Sequence, residues 1–143
     1  MKKQICIGIG TIGSFLIKLV GGWDSLMQTL LIFMIIDYVS GWTVAAVFQN
    51  STKTQNGGLE SKAGLKGLIK KCMILLLVVA MQCVDVALKC DYIRNAAIIG
   101  FAANELISIV ENAKLMGIPM PKVVYKAIDV MNEKEKKNYE QKY

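Results

Sequence analysis

A run of 23 residues from Leu26 to Phe48, with LLIFMIIDYVSGWTVAAVF at its centre, carries one charge, Asp37. At 1.5 Å of helical rise per residue such a run is long enough to cross a bilayer, which needs about 20 apolar residues. A carboxylate at that depth costs roughly 2.5–3.5 kcal/mol on insertion scales, so Asp37 is expected to face other helices or water rather than lipid. Two further runs of membrane length follow, at 69–88 and 92–113. A chain of 143 residues with 54% apolar residues and two prolines fits one all-α integral membrane domain. Seventeen basic against eleven acidic residues could also suit a nucleic-acid binder, but such a protein would not carry three apolar runs of this length.

The basic excess lies beside the runs. Residues 49–68 are polar, with Asn56-Gly57-Gly58 as an expected turn. Between Asn50 and Lys71 five lysines (Lys53, Lys62, Lys66, Lys70 and Lys71) stand against Glu60 alone. The tail at 114–143 has seven lysines and four acids. By the positive-inside rule both segments are cytoplasmic. The topology is then three spans, amino end outside and carboxyl end inside, with Lys89-Cys90-Asp91 as a tight turn. Gly117-Ile118-Pro119-Met120-Pro121 closes the last span, and the tail resumes as an amphipathic segment with Val124, Ala127, Ile128 and Met131 on one face.

Residues 5–20 are ambiguous. Ile5, Ile9, Ile12, Leu16, Leu19 and Val20 share one helical face, opposite Thr11, Ser14 and Lys18. An interfacial helix, a fourth span and a secretory signal all remain open readings. Gly8-Ile9-Gly10-Thr11-Ile12-Gly13 is a literal G-x-G-x-x-G. A dinucleotide site needs a strand before it and a helix opening at it, and no βαβ pattern surrounds it. Close helix packing through small residues is the plainer expectation.

Helical spacing places Leu30, Met34, Asp37, Gly41 and Val44 on one stripe of the first span. Val78, Gln82 and Asp85 share a face of the second, extended at its ends by Lys71 and Lys89. On the third, Ala97, Phe101, Asn104, Ser108 and Glu111 form the polar stripe, with Glu105 and Asn112 at its margin. Ile98, Ile99, Ala102, Leu106, Ile109 and Val110 form the face suited to lipid. Candidate helix-interface or hole-lining positions are therefore Asp37, Gly41, Asp85, Asn104, Glu105, Ser108 and Glu111. Each acid either hydrogen-bonds a neighbouring helix or lines a hydrated path. Asp85 and Arg94 fall at similar depth across the tight turn, and a salt bridge between them is expected to pin the hairpin. With no histidine, no activated nucleophile and no zinc-type cysteine spacing, neither catalysis nor a cofactor is expected. Cys72 and Cys83, eleven residues apart, read as small packing residues.

Taken in order, several short motifs resemble the toxin-secretion/phage-lysis holins, small membrane proteins of phages and prophages of Gram-positive bacteria. They are Gly21-Gly22-Trp23-Asp24, Asp37-Tyr38 with Ser40-Gly41, Ser61-Lys62, and Gly64-Leu65-Lys66-Gly67 before Lys70-Lys71. Asp85, Arg94, Asn104-Glu105, Ser108-Ile109, Glu111-Asn112 and the Gly117–Pro121 segment complete the set, over nearly the whole chain. The resemblance implies a homo-oligomer in the host cytoplasmic membrane that opens large holes at a set time. Its functional partner would be a cell-wall hydrolase or a large toxin, released without necessary direct contact. Some holins make an inhibitor from a second start codon; here the next methionine is Met27, inside the first span, so that device is not visible. A small ion or multidrug transporter, or a non-conducting membrane adaptor, shares the size and buried acids and stands as the alternative.

Overall fold

The computed structural model describes residues 1–127, 129 and 130, including all their side chains except those of Lys2, Lys3, Ile5, Cys6 and Ile9. It contains four long helices: α1 (Lys2–Leu19), α2 (Ser25–Thr43), α3 (Ser61–Leu88) and α4 (Ile93–Leu115). A π-helical stretch, Val44–Phe48, prolongs α2 until Gln49 turns left-handed at φ 48°. No strand occurs among the described residues. Ser25–Phe48, Ser61–Leu88 and Ile93–Leu115 are each long and apolar enough to cross a membrane. The protein is thus an all-α chain with three helices of membrane-spanning length.

Chemistry at the helix ends explains where the elements stop. Asp24 caps α2 by accepting the Met27 N–H at 2.8 Å, the expected use of a short carboxylate before an apolar helix. Three other ends share one wrapped turn, in which an N–H bonds a carbonyl five residues back. They are Gly22 to Ile17 after α1, Cys90 to Asp85 after α3, and Ile118 to Ala113 after α4. α3 begins at Ser61, earlier than the expected span at 69. Lys62, Lys66, Lys70 and Lys71 therefore sit on the first turns of a helix and not in the loop, because Ala, Leu and Lys favour helix strongly enough to carry Gly64 and Gly67.

α4 is the central helix. It packs most extensively on α2, next on α3, while α2 and α3 touch each other least. The apolar core is Met27, Leu30 and Met34 of α2 with Val78 of α3 and Ile98 of α4, flanked by Ile74, Leu75 and Phe101. The buried residues of α4 are Arg94, Ile98, Glu105 and Asn112 on one stripe, and Val110 on another side of the helix. This corrects the expected face: Ile98 and Val110 point into the bundle rather than to lipid, while Asn104 and Glu111 are exposed. The rotation has a simple origin, since bundle interior and lipid are both apolar and a hydrophobic side chain does not distinguish them.

α1 is set apart from this core, with none of its described side chains buried. Thr11 satisfies its hydroxyl on its own helix, donating to the carbonyls of Ile7 and Gly8. Gly8, Gly10 and Gly13 lie inside a continuous helix with open space where a Cβ would stand. The glycines thus neither close-pack against a neighbour nor form the strand-to-helix turn a dinucleotide site requires. Cys72 and Cys83 are also exposed rather than packed. Residues 122–127 are helical, with Val124 half-buried and Ala127 exposed; Ile128 and Met131, expected on the same face, lie outside the described residues.

Candidate functional site: two buried polar clusters

Polar side chains enter the bundle at two levels, one on each side of the apolar core. The first is at the α3–α4 hairpin end. Asp85 is buried near the end of α3 and its carboxylate meets the start of α4. Its Oδ1 accepts the Ile93 N–H at 3.1 Å and its Oδ2 the Arg94 N–H at 2.9 Å. A carboxylate from one helix thus caps the next, satisfying N–H groups that have no partner within their own helix and complementing its dipole. The Cys90 thiol donates to the same carboxylate at 3.1 Å. That hydrogen bond, together with burial, raises the Cys90 pKa above the ordinary thiol range.

The expected Asp85–Arg94 salt bridge does not form. Side chains on a helix lean toward its amino end, and Arg94, in the first turn of α4, reaches past that end to the segment before α2. Its Nη1 donates to Asp24 Oδ2 at 2.6 Å and to Asn95 Oδ1 at 3.0 Å. Its Nη2 donates to the Gly22 carbonyl at 3.3 Å, and its Nε to the Val20 carbonyl. Asp24, held by this guanidinium, has its carboxyl pKa lowered from the usual aspartate range. Gly21, at φ 85°, completes the arrangement, because a Cβ there would collide with Gln82 and Arg94.

The second cluster lies at the loop end of the core. Lys71 of α3 donates to Asp37 Oδ2 of α2 at 2.8 Å and to Glu105 Oε2 of α4. Asn112 Nδ2 meets three acceptors of α2: Asp37 Oδ1 at 3.1 Å, Ser40 Oγ at 2.9 Å and the Asp37 carbonyl at 3.3 Å. Gly41 lets Asn112 come this close, its Cβ position lying 3.5 Å from the amide nitrogen. Lys53, from the loop after α2, stands 4.0 Å from Asp37 Oδ1. Asp37 lies eleven residues before Phe48, Lys71 ten after Ser61, and Glu105 ten before Leu115. All three are thus about 15 Å along their helices from the loop end. One ammonium between two carboxylates leaves the trio one negative charge in excess, which Lys53 offsets from the solvent side.

The structure therefore brings together Asp37, Gly41, Glu105 and Lys71, with Ser108 half-buried beside them. It places Asp85 in the other cluster and leaves Asn104 and Glu111 exposed on α4. Asp24, Lys71 and Asn112 have roles that sequence reasoning missed. The signal for Asp24 was its position just before an apolar run; Lys71 offered none, because its depth shows only once α3 is seen to start at Ser61.

The sequence profile described as the bacteriophage holin family matches residues 14–133. The chain belongs to that family. Relatives of this holin extend across Gram-positive bacteria. An uncharacterized protein of Listeria innocua is 36% identical over 135 residues, 94% of this chain and 91% of that one. One from Halalkalibacterium halodurans is 36% identical over 125 residues, covering 83% and 87%. A third, from Listeria monocytogenes, is 35% identical over 135 residues, covering 94% and 91%. No solved structure matches the holin.

Proposed function

We propose that copies of this holin assemble in the bacterial cytoplasmic membrane and open holes that release a cell-wall hydrolase or a large toxin. The observation that carries the reading is on α4: Asn104 and Glu111, seven residues apart, are both exposed on a helix of membrane-spanning length. Such groups are costly against hydrocarbon. Contact with another copy relieves that cost in a closed assembly, and water relieves it in an open ring. The Asp37–Lys71–Glu105 cluster supports the same reading, since it stores charge inside the single chain that a rearranged bundle can present to a lumen. The 49–60 loop and the lysine-rich amino end of α3 face the cytoplasm in this scheme. Membrane potential then acts on the buried charges with about 2.3 kcal/mol per charge per 100 mV, so its collapse shifts the balance between closed and open assemblies.

The test is expression in a bacterium with and without a cell-wall hydrolase, following membrane potential and optical density. A holin collapses the potential abruptly and lyses the cells only when the hydrolase is present. A transporter or a passive adaptor leaves the envelope intact in both strains, and that result would sink the proposal.

A further inference from the structure

The ion cluster and Asn104, on which the hole-forming reading rests, border a cleft whose other lining residues that reading does not use. Because α2 and α3 meet so little, a cavity of about 470 Å³ opens between them, lined on the α4 side by Asn104, Glu105 and Ser108. Its deepest cation, Lys71, is committed to Asp37 and Glu105. The mouth is different. Lys53, Lys66 and Lys70 line it, and Glu60 is the one lining carboxylate outside the cluster. Glu60 already accepts the Gln55 N–H at 3.2 Å. Lys66 and Lys70 are four residues apart on α3, hence on one face with like charges adjacent. Neither forms an ion pair among the described residues.

A second, independent observation points to an occupant. The Thr54 hydroxyl is buried without a hydrogen-bond partner, and Thr54 lines both this cleft and the smaller pocket it shares with Lys53, Lys62 and Lys66. A buried polar atom left unsatisfied is rare in a native fold and asks for a polar group to fill the space. An oxygen-rich anion answers the hydroxyl and the lysines together. The walls decide which anion. Trp42, Leu59 and Ile74 line the cleft, and Trp42 is 54% exposed. A free phosphate makes no use of them, whereas a phospholipid lays its chains along them. Aromatic rings at headgroup level and basic pockets between membrane helices are the physical features that hold acidic lipids.

We propose that the α2–α3 cleft binds an anionic phospholipid, its phosphate held by Lys66, Lys70 and the Thr54 hydroxyl and its chains laid against Trp42 and Ile74. The site needs only that the chain is embedded in a membrane, and stands or falls apart from hole formation.

The experiment uses the full-length chain with W23F, which leaves Trp42 as the only one of the two tryptophans. It is reconstituted in phosphatidylcholine vesicles, and Trp42 fluorescence is titrated with brominated phosphatidylglycerol or, in parallel, brominated phosphatidylcholine. Phosphatidylglycerol is expected to quench at concentrations at least about fivefold lower, the factor expected from the attraction of one lysine near the surface. K66Q/K70Q removes that preference, K66R/K70R retains it, and T54V weakens it, each with helical circular dichroism unchanged. Equal quenching by the two lipids, or a preference that survives K66Q/K70Q, overturns the proposal. Displacement of phosphatidylglycerol by millimolar inorganic phosphate would assign the site to the free ion and overturn the lipid assignment. Lysis is not read in this assay, so its result is separable from that of the hydrolase experiment.

Discussion

Arg94 and Lys71 are both drawn into the bundle, with side chains 5% and 12% exposed, yet they are held in different ways. Arg94, the chain's single arginine, binds two backbone carbonyls, a neighbouring amide and Asp24, which itself caps α2. Around it, Asp85 binds backbone N–H groups of α4. Every partner is tied to a helix end, so the hairpin end is pinned. Among the described residues Lys71 is held only by two side chains, one from α2 and one from α4. Its ammonium is a rotatable point charge on a flexible stem, not a planar fork. The loop end can therefore exchange partners when helices separate, while the hairpin end cannot do so without losing helix caps. Buried charge thus fastens one end of the bundle and leaves the other poised.

The largest effect is expected from Arg94→Ala, which takes the donor from the Val20 and Gly22 carbonyls and empties a buried position, and should cost about 3–5 kcal/mol. Thermal or denaturant unfolding in detergent measures it, and Arg94→Lys should recover less than half, because an ammonium does not reproduce the fork. Lys71→Met comes next. It leaves two carboxylates facing each other, at a cost of about 2–4 kcal/mol, and Asp37→Asn with Glu105→Gln in the same chain should return most of the loss. The two variants should also part in cells, with Lys71→Met advancing lysis and Arg94→Ala abolishing accumulation. If both behave alike, the contrast between a pinned and a poised end is broken.

A smaller loss is expected for Asp85→Asn, which keeps one acceptor for the α4 N–H groups but removes the charge that complements the helix dipole. The smallest effect is a pH dependence. Arg94 lowers the Asp24 carboxyl pKa in the folded chain, so ionised Asp24 stabilises fully above the ordinary aspartate range. That contribution fades as pH falls through the lower folded value. The stability gap between the parent chain and Asp24→Asn should be open at neutral pH and closed in strong acid. It should be modest, because the Asp24 side chain is 44% exposed and solvent screens the pair. A gap unchanged in acid would remove the ion pair from the account of the hairpin end.

Much of this was legible before any coordinates. On α2 the side chains of Leu30, Met34, Asp37 and Val44 recur at helical spacing and face inward. On α3, Val78 and Asp85 do the same. α4 was harder, because Asn104, Glu105, Ser108, Glu111 and Asn112 make a polar arc about a third of its circumference wide, and only the Glu105–Asn112 edge of it is buried. Of the positions expected to meet other helices or water, Glu105 is buried within the chain together with Asn112 from the stripe's margin, while Asn104 and Glu111 are exposed. The Asp85–Arg94 pairing failed for a related reason: equal depth places two groups on one level and says nothing about which way either side chain leans.

Distance along a helix is a count of residues, so the sequence by itself determined three apolar runs of membrane length and the mid-run depth of Asp37 and Glu105, whereas Lys71 joins their level only because α3 starts at Ser61. Rotation about each axis, and with it every partner, was decided only by the tertiary structure. In a membrane protein, lipid and core reward the same apolar side chains, and only packing against α4 tells one from the other.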